Sequence, residues 1–391
     1  MTMNRTDTFL QEIRSELCDN ILPFWLERTP DPLEGGFLGR ISGTGETDRK
    51  APRGVILNAR ILWAFSAAYK AFRKKEYLVA ATRAKDYFIG HFLDHRYGGA
   101  YWSLTPSGIR LETKKQLYAQ AFSIYGLSEF YGATGDDEAL KAARNLYQII
   151  EKEYADPVHG GYAEARARDF SVLEDMTLSE HDINAAKTMN SHLHLLEAYA
   201  NLYKVWPDEG LRERTVSLLD ILCTKIMDPA TGHLHLYFNE DWSVIPGAFS
   251  YGHDIETSWL ALEAAFIVRD IDVVDRVKPA ALQMARAGLE GLQPDGSLLY
   301  ESGDDSRQWW VEAENVVGNL WLWKYHGDAA AADRALACWN YIKTRLVDRE
   351  GGEWFWSCAP DGTPNRTDDK AGFWKCPYHN SRMCLQALEL L

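Results

Sequence analysis

A glycine-rich turn followed by an aromatic or apolar residue recurs six times along this chain, at intervals of roughly sixty residues. Five of the turns have an aspartate shortly upstream, whereas the fifth follows Leu292-Gln293-Pro294-Asp295 instead. This regular spacing indicates one supersecondary unit that is copied six times. The turns are Glu34-Gly35-Gly36-Phe37, Tyr97-Gly98-Gly99-Ala100-Tyr101, His159-Gly160-Gly161-Tyr162, Thr231-Gly232-His233-Leu234, Asp295-Gly296-Ser297-Leu298 and Glu350-Gly351-Gly352-Glu353-Trp354.

Two stretches with helical periodicity accompany each turn. Their apolar residues recur at spacings of three and four, as in the stripe that contains Leu57, Ile61 and Phe65. Asp, Pro and Gly mark helix ends, for example at Thr134-Gly135-Asp136. The twelve predicted helices span 7–28, 54–72, 76–94, 114–132, 136–155, 182–205, 210–227, 252–269, 272–291, 309–326, 329–347 and 377–390.

The helix pairs predict an all-α fold of the (α/α)6-barrel type, with six inner and six outer helices. Short alternating runs beside the turns, at 233–237 and 354–356, predict a small β-hairpin inside each pair, at the active-site end. An open helical solenoid is the alternative. A solenoid needs polar capping repeats, and neither end of this chain resembles one. We therefore expect residues 1–391 to form a single barrel domain.

Composition restricts the partners and the compartment. The 391-residue chain has a formal net charge of −14, which argues against nucleic acid, because a phosphate backbone requires a basic face. No apolar run approaches the twenty residues that a membrane span needs, and the N-terminus lacks a signal peptide's apolar region. The cysteines form no C-x-x-C pair, which predicts reduced thiols in the cytoplasm. They are Cys18, Cys223, Cys338, Cys358, Cys376 and Cys384.

Aromatic residues are unusually frequent, with 14 Trp and 19 Tyr. Many lie at the turns and at the starts of the following helices, as at Tyr101-Trp102, Trp309-Trp310 and Phe373-Trp374. A single Trp in such a place commonly fills a core. Many of them at one end of a barrel indicate flat surfaces on which sugar rings can stack, so carbohydrate is the first ligand class to consider.

The second helix of each pair should lie inside the ring, with its N-terminus at the turn end. Polar and titratable groups at buried helix starts are costly unless they serve a ligand, so their convergence predicts an active site. The polar candidates are Asn58, Arg60, Tyr118, Gln120, Asp182, Asn190, His192, His194, His253, Asp254, Glu256, Trp309, Trp310, Glu312, Glu314, Tyr378, His379, Asn380 and Arg382.

Three histidines stand on separate inner helices. His194 shares a helix face with Asn190, and His379 stands at the start of the last inner helix. His253 has Glu256 one turn further on, and we expect this carboxylate to orient its imidazole and raise its basicity. An imidazole that titrates near neutral pH can remove and return a proton, so two of them on opposite sides of a carbon could invert it.

Metal ligation is the competing use of these histidines. The chain has no His-Glu-x-x-His motif and no Cys-x-x-Cys motif, and His233 with His235 is at best a weak pair on a strand. We therefore expect acid–base chemistry with no metal. No glycine-rich loop opens a helix after a buried strand either, so no nucleotide cofactor is expected.

Three segments carry a family resemblance: KTMNSHLH at 187–194, SYGHDIE at 250–256 and KAGFWKCPYHNSR at 370–382. They resemble the cellobiose 2-epimerase group of the N-acylglucosamine 2-epimerase superfamily, and the resemblance covers essentially the whole chain. It implies an (α/α)6 barrel that interconverts glucose and mannose at the reducing end of a β-1,4-linked disaccharide. It also implies that cellobiose, lactose or mannobiose is the partner molecule, and that no cofactor is used.

The resemblance also implies roles for individual residues. His253 and His379 would form the acid/base pair, with His194 as a supporting third catalytic residue. The residues expected to bind or orient the substrate are Arg60, Tyr118, Asp182, Asn190 and Glu256, with Trp374 stacking on a sugar ring. Trp309 and Trp310 are both candidates for a second stacking residue, and the sequence does not choose between them. We expect a monomer or a weak homodimer.

The implied reaction opens the pyranose with help from His379, ionises C2–H beside the aldehyde and returns a proton to the other face. Charge that develops on O1 needs a preorganised donor, for which Arg60 is the candidate. The rival functions are an N-acylglucosamine or mannose 2-epimerase or isomerase, a non-catalytic sugar-binding protein, and a glycoside hydrolase. The hydrolase would need two carboxylates across the site. Asp182, Glu256, Glu312 and Glu314 could supply them.

Overall fold

The computed structural model describes residues 3–179 and 182–391. Thirteen α-helices are formed in this part of the chain, several extended by a short π-helical or 3₁₀ turn. They are α1 (Met3–Ser15), α2 (Leu22–Arg28), α3 (Val55–Phe72), α4 (Lys75–Tyr87), α5 (Leu117–Thr134), α6 (Asp137–Glu153), α7 (Met189–Val205), α8 (Glu209–Ile221), α9 (Tyr251–Val268), α10 (Ile271–Gly288), α11 (Trp309–His326), α12 (Ala331–Tyr341) and α13 (Tyr378–Leu390).

The odd-numbered helices from α3 to α13 form the inner layer of a ring, and the remaining helices form the outer layer. Each inner helix packs against the next one along the chain, and α13 packs back against α3. The inner helices are apolar around most of their circumference, as a helix enclosed on all sides must be. In α3 every residue from Val55 to Ala68 is buried.

Backbone pairing between the first and last repeats completes the ring. Ile41 N–H donates to the carbonyl of Ala371 at 2.8 Å, and Lys370 N–H donates to the carbonyl of Ile41 at 3.0 Å. Arg40 forms an ion pair with Asp369 beside this junction. The predicted (α/α)6 barrel is therefore confirmed, and the open solenoid is wrong.

Most of the short strands link neighbouring repeats, while a hairpin of the predicted kind forms inside the helix pair α8–α9. The strands are β1 (Arg53–Gly54), β2 (Ser103–Leu104), β3 (Lys115–Gln116), β4 (Ala165–Arg166), β5 (Lys187–Thr188), β6 (Tyr237–Phe238), β7 (Val244–Ile245), β8 (Arg307–Gln308) and β9 (Ser357–Cys358). β1 pairs with β2 of the next repeat, and the pairs β3–β4, β5–β6 and β8–β9 follow the same rule. The glycine turns themselves carry single bridges, such as Ala155 with Tyr162. β6 also pairs with β7, so this strand has one partner in its own repeat and one in the neighbouring repeat.

The recurring aspartate before each turn has a structural role. Asp94 Oδ1 accepts the N–H groups of Arg96 at 3.0 Å and Tyr97 at 3.2 Å, which folds the chain into a tight turn. Gly98 and Gly99 follow with φ of +83° and +74°, a region that glycine adopts without strain. The second oxygen of Asp94 binds Lys115 Nζ, from the strand before the inner helix.

Predicted helix boundaries agree with the structure to within four residues except before α7. The predicted helix 182–205 begins only at Met189, because Thr188 caps it by accepting the N–H of Ser191 at 3.1 Å. The predicted cap Asp136 accepts the N–H of Ala139 at 2.9 Å, as expected. The six cysteines are free thiols. Within the described ranges, no helix combines the length and apolarity that crossing a bilayer requires.

Candidate active site

Side chains two residues apart on five inner helices face opposite ways. Residues two apart on an α-helix are separated by about 200° around its axis. On four of these helices, the fourth residue binds the glycine turn of its own repeat, while the sixth residues of all five project into the ring. The pairs of fourth and sixth residues are Asn58 with Arg60, Gln120 with Phe122, His192 with His194, Asp254 with Glu256, and Glu312 with Glu314.

The fourth residues hold the turns in place. The residue after each turn donates its backbone N–H to a side chain of the inner helix at 2.7–3.0 Å; the bonds are Ala100 to Gln120, Tyr162 to His192, Leu234 to Asp254, and Leu298 to Glu312. Asn58 binds the carbonyl of Gly54 on its own helix at 2.9 Å. These five residues satisfy buried backbone groups, so their prediction as ligand-binding candidates is corrected.

In the last repeat the contact runs the other way, because the turn supplies the acidic side chain and the inner helix α13 donates to it. Glu353 occupies the turn with φ of +63°, and its Oε1 accepts the N–H of Trp354 at 3.0 Å. The same oxygen accepts from Asn380 at 2.6 Å and from Lys375 at 2.7 Å, while Trp25 donates to Oε2. Glu353 therefore anchors the segment that leads into α13. The interruption of the Gly-Gly-aromatic pattern by a glutamate was the available sequence signal, and it was missed.

The sixth residues meet inside the ring, where all of them are buried. The guanidinium of Arg60 lies 4.1 Å from the centre of the Phe122 ring, and that ring lies 4.8 Å from the His194 ring. Arg60 Nη2 donates to the hydroxyl of Tyr118 at 2.7 Å. Arg60, Tyr118 and His194, all predicted site residues, are therefore brought together.

Arg382 gathers the carboxylates on the opposite side. Its Nη2 donates to Glu256 Oε1 at 2.7 Å and to Glu314 Oε1 at 2.6 Å, and its Nη1 forms an ion pair with Glu197. The sequence predicted that Glu256 orients His253. In the structure Glu256 is bound by Arg382 instead. A guanidinium from α13 attracts this carboxylate across the ring, a contact that spacing within α9 could not reveal.

These carboxylates differ in charge. Burial opposes ionisation of Glu197, but Arg382 and His194 outweigh it and lower the pKa of Glu197 to about 2. Burial raises the pKa of Glu256 and of Glu314, and the repulsion between neighbouring carboxylates adds to it. Glu314 accepts from Arg382, from Trp259 at 2.9 Å and from His379, all of which favour its ionised form. We therefore assign the proton at neutral pH to Glu256.

Two of the three catalytic candidates, His379 and His194, have a carboxylate partner at Nδ1. His379 Nδ1 lies 2.7 Å from Glu314 Oε1, and His194 Nδ1 lies 2.9 Å from Glu197 Oε2. Because an ionised carboxylate only accepts, Nδ1 carries the proton in both rings and Nε2 keeps its lone pair. Glu197 was missed from the sequence, although it stands one turn after His194, in the spacing that was applied to His253.

Burial lowers the pKa of all three imidazoles. The field of His194 adds to this effect at His253, and those of Arg60 and Arg382 add to it at His379. The rings are therefore neutral at physiological pH. A neutral imidazole can accept a proton, so these rings start in the form that a general base requires.

Tryptophans flank the histidines. The ring of Trp310 lies 4.7 Å from that of His253 and 5.6 Å from that of His379, and so borders both. Trp309 is farther from His379, at 6.4 Å, and packs on Trp356 at 4.6 Å. Of these two candidates, Trp310 is the one that lies close to both histidines.

The half-buried Trp374 lies on the other side of the site. Its ring is 6.0 Å from the ring of Tyr118 and 5.9 Å from that of Trp102. Arg60 Nε and Asn190 Oδ1 are buried without a hydrogen-bond partner in the described part of the chain. Orphaned polar atoms beside a group of aromatic rings are available to the hydroxyls of a ligand.

Asp182 forms its hydrogen bonds with Ser179 and Tyr237. It stands in the loop before β5, where its carboxylate accepts from the hydroxyl of Tyr237 at 2.8 Å. It was predicted at the start of an inner helix, and this placement is corrected because α7 begins seven residues later, at Met189.

One cluster in the described ranges has the dimensions of a metal site. Ligand atoms of Glu256, Glu314 and His379 lie within 4.8 Å of one another. The guanidinium of Arg382 already bridges both carboxylates, so a metal ion would have to displace it. Arg382 therefore supplies the cation at this position. His233, the weaker metal candidate, donates from Nδ1 to Asp254 at 2.6 Å instead of sharing a site with His235.

The carboxylates do not form the pair that a glycoside hydrolase needs. Glu312 faces outward to its turn, and Asp182 binds Tyr237. Glu256 and Glu314 share one guanidinium and do not face each other across an open site. The geometry therefore favours chemistry carried by imidazoles over hydrolysis.

Residues 36–382 match the N-acylglucosamine 2-epimerase (GlcNAc 2-epimerase) family, and the chain belongs to that family. The cellobiose 2-epimerase of Bacteroides fragilis is 49% identical over 384 residues, covering 97% of this chain and 98% of that protein. The cellobiose 2-epimerase of Ruminococcus albus is 38% identical, with 97% and 98% covered. The solved cellobiose 2-epimerase of Bacillus thermoamylovorans has a TM-score of 0.94 at 39% identity, covering 98% of this chain and 100% of that one. The family resemblance read from the sequence is confirmed.

Proposed function

We propose that this protein is an isomerase that interconverts glucose and mannose at the reducing end of β-1,4-linked disaccharides, turning cellobiose into 4-O-β-glucosyl-mannose. The observation that carries the proposal is the placement of two neutral imidazoles, His253 and His379, beside the same Trp310 ring. The similarity to cellobiose 2-epimerases over nearly the whole chain supports it.

In the proposed cycle, His379 assists opening of the pyranose ring. One histidine then removes the proton from C2 and leaves a cis-enediolate. The other histidine takes up a proton from solvent at Nε2 and delivers it to the opposite face of C2, and the first histidine returns its proton to solvent. His194, whose neutral ring is held by Glu197, is the supporting third histidine in this proton transfer. A sugar C–H is a very weak acid, so the negative charge that develops on O1 must be stabilised as it forms.

Arg60 is the proposed donor to that oxygen. Tyr118 binds one of its nitrogens at 2.7 Å, and the Tyr378 ring lies 4.7 Å from the guanidinium, which fixes its orientation before substrate arrives. A donor that is already oriented stabilises developing charge without reorganising. Asn190 would take a sugar hydroxyl through its unpartnered oxygen.

Stacking positions the two sugar rings. We assign Trp310 to the reacting ring, because it borders both histidines, and Trp374 to a ring nearer Tyr118 and Trp102. Glu256 would act through Arg382, and Asp182 would act from the rim of the site through the loop that it supports. Trp309 would contribute as packing behind His379.

The remaining properties belong to the same proposal. The enzyme would act as one catalytic domain of residues 1–391 in the cytoplasm, as a monomer or weak homodimer, with no metal or nucleotide. Its substrate range would include cellobiose, with lactose and mannobiose as further candidates, and no nucleic acid or membrane partner.

The purified protein, dialysed against EDTA, should convert cellobiose into glucosyl-mannose as fast as undialysed protein. Reducing-end NMR signals would identify the product, with N-acetylglucosamine and mannose as parallel substrates. Preferred turnover of either monosaccharide would favour the N-acylglucosamine or mannose alternative, and release of glucose from cellobiose would favour hydrolysis. Activity lost in EDTA and restored by a divalent ion would contradict the metal-free mechanism.

A further inference from the structure

His253 differs from the other two histidines in the partner of its Nδ1. Where His379 and His194 face carboxylates, His253 Nδ1 lies 3.0 Å from the hydroxyl oxygen of Ser250. Ser250 is buried and caps α9, so its Oγ also accepts the backbone N–H of His253 at 3.3 Å. The same oxygen lies 3.2 Å from the carbonyl oxygen of Tyr300. One hydroxyl therefore meets three partners.

Counting protons at this hydroxyl determines the directions of the bonds. A serine hydroxyl has one proton to donate and two lone pairs that accept. The carbonyl of Tyr300 can only accept, and the backbone N–H of His253 can only donate. If the hydroxyl proton goes to Tyr300, the remaining lone pair of Ser250 must accept a proton from Nδ1. All three contacts are then satisfied together, whereas the opposite assignment leaves Ser250 and Tyr300 as two oxygens in contact with no proton between them.

We propose that Ser250 is a positioning residue that holds His253 in the Nδ1–H tautomer, with the carbonyl of Tyr300 directing the serine proton away from the ring. Nε2 then keeps its lone pair, as in His379 and His194. Nε2 is the nitrogen left free of a protein partner in the described part of the site, so it is the atom that can accept a proton from the substrate.

The catalytic meaning of this tautomer rests on the proposed function, but the tautomer itself does not. A hydroxyl orients the ring without placing a negative charge beside it, and this explains how His253 is fixed although Glu256 is bound to Arg382. The carbonyl of Tyr300 also accepts the backbone N–H of Gly252 at 3.3 Å, and this second hydrogen bond keeps the carbonyl beside Ser250.

Nitrogen-15 NMR of the histidine side chains reports the tautomer directly in the resting enzyme, with His253→Asn used to assign the signals. We expect wild-type His253 to have a protonated Nδ1 and an unprotonated Nε2. Ser250→Ala should populate the Nε2–H form and lower kcat on the order of tenfold or more, part of the contribution of a positioned base, with little change in KM. Ser250→Thr, which keeps the hydroxyl, should restore the wild-type tautomer.

Asp208→Ala is the matched control. Asp208 caps the outer helix α8 by accepting the N–H of Leu211 at 3.1 Å, so this variant loses a helix cap without touching a histidine. Its tautomers and kcat should match the wild type. A wild-type His253 protonated at Nε2, or a Ser250→Ala protein with unchanged tautomer and kcat, would overturn the proposal. If the wild type showed the expected tautomer but did not epimerise cellobiose, only the proposed function would fail.

Discussion

His379→Ala and His253→Ala should each reduce turnover by about 10²–10⁴-fold, the usual contribution of a positioned acid or base. Both rings are neutral and border Trp310, so removing either leaves one face of the sugar without a proton donor and acceptor. The fold should persist, because Arg382 and Trp259 still bind Glu314 when His379 is absent. Initial rates by NMR and circular dichroism would measure both effects.

The exposed His95 provides the control, since His95→Ala should leave the rate unchanged. The wild-type rate should fall as pH falls, because protonation removes the base. The midpoint should lie below the usual histidine pKa of about 6.5, since burial lowers both values. Activity within about threefold of wild type for either active-site variant would remove that histidine from the mechanism.

Arg382→Met should destabilise the protein strongly. It would leave the ionised Glu197 and Glu314 buried without their shared cation and Glu256 without its hydrogen-bond donor, and breaking a buried ion pair from one side costs about 3–5 kcal/mol. Urea unfolding would measure the loss. Arg276→Met, which removes a half-exposed pair with Asp220, should cost no more than about 1 kcal/mol.

The loss in Arg382→Met should depend on pH. The lowered pKa of Glu197 means that its stabilising effect is present above the unfolded-state value near 4.5 and is lost as pH falls towards 2. Without Arg382 this contribution disappears, so wild type and variant should differ most at neutral pH and converge in acid. A difference below about 1 kcal/mol at pH 7 would show that Arg382 does not hold the three carboxylates as described.

The repeat spacing predicted the ring because six similar units of two helices each can bury all of their apolar faces when the ring closes. It also predicted that Arg60, His194 and His379 converge, and the structure brings these three residues within electrostatic reach of one another. The repeat spacing could not assign different roles to His192 and His194. Two polar residues two positions apart on an enclosed helix look alike until their neighbours in space are known. The 200° between them, about half a turn, assigns one to the glycine turn and the other to the axis.

Contacts across the ring were the other missing information. Local spacing paired Glu256 with His253, but a guanidinium 126 positions away binds that carboxylate, and a serine takes its place at the histidine. Glu353 binds both Trp25 in α2 and Asn380 in α13, and it is 328 positions away from Trp25. Such contacts follow from ring closure, so they become visible only once the ring is built.

Deuterium incorporation tests the central claim most directly. The enzyme would be incubated with cellobiose in D₂O, and the reaction stopped at early conversion. Two histidines acting on opposite faces mean that the group which reprotonates C2 did not receive the abstracted proton. The account therefore predicts glucosyl-mannose that is almost completely deuterated at C2 of the reducing end and at no other carbon. Partial retention of the proton would indicate a single shuttling histidine, and product with C2 still fully protiated would contradict proton transfer by His253 and His379.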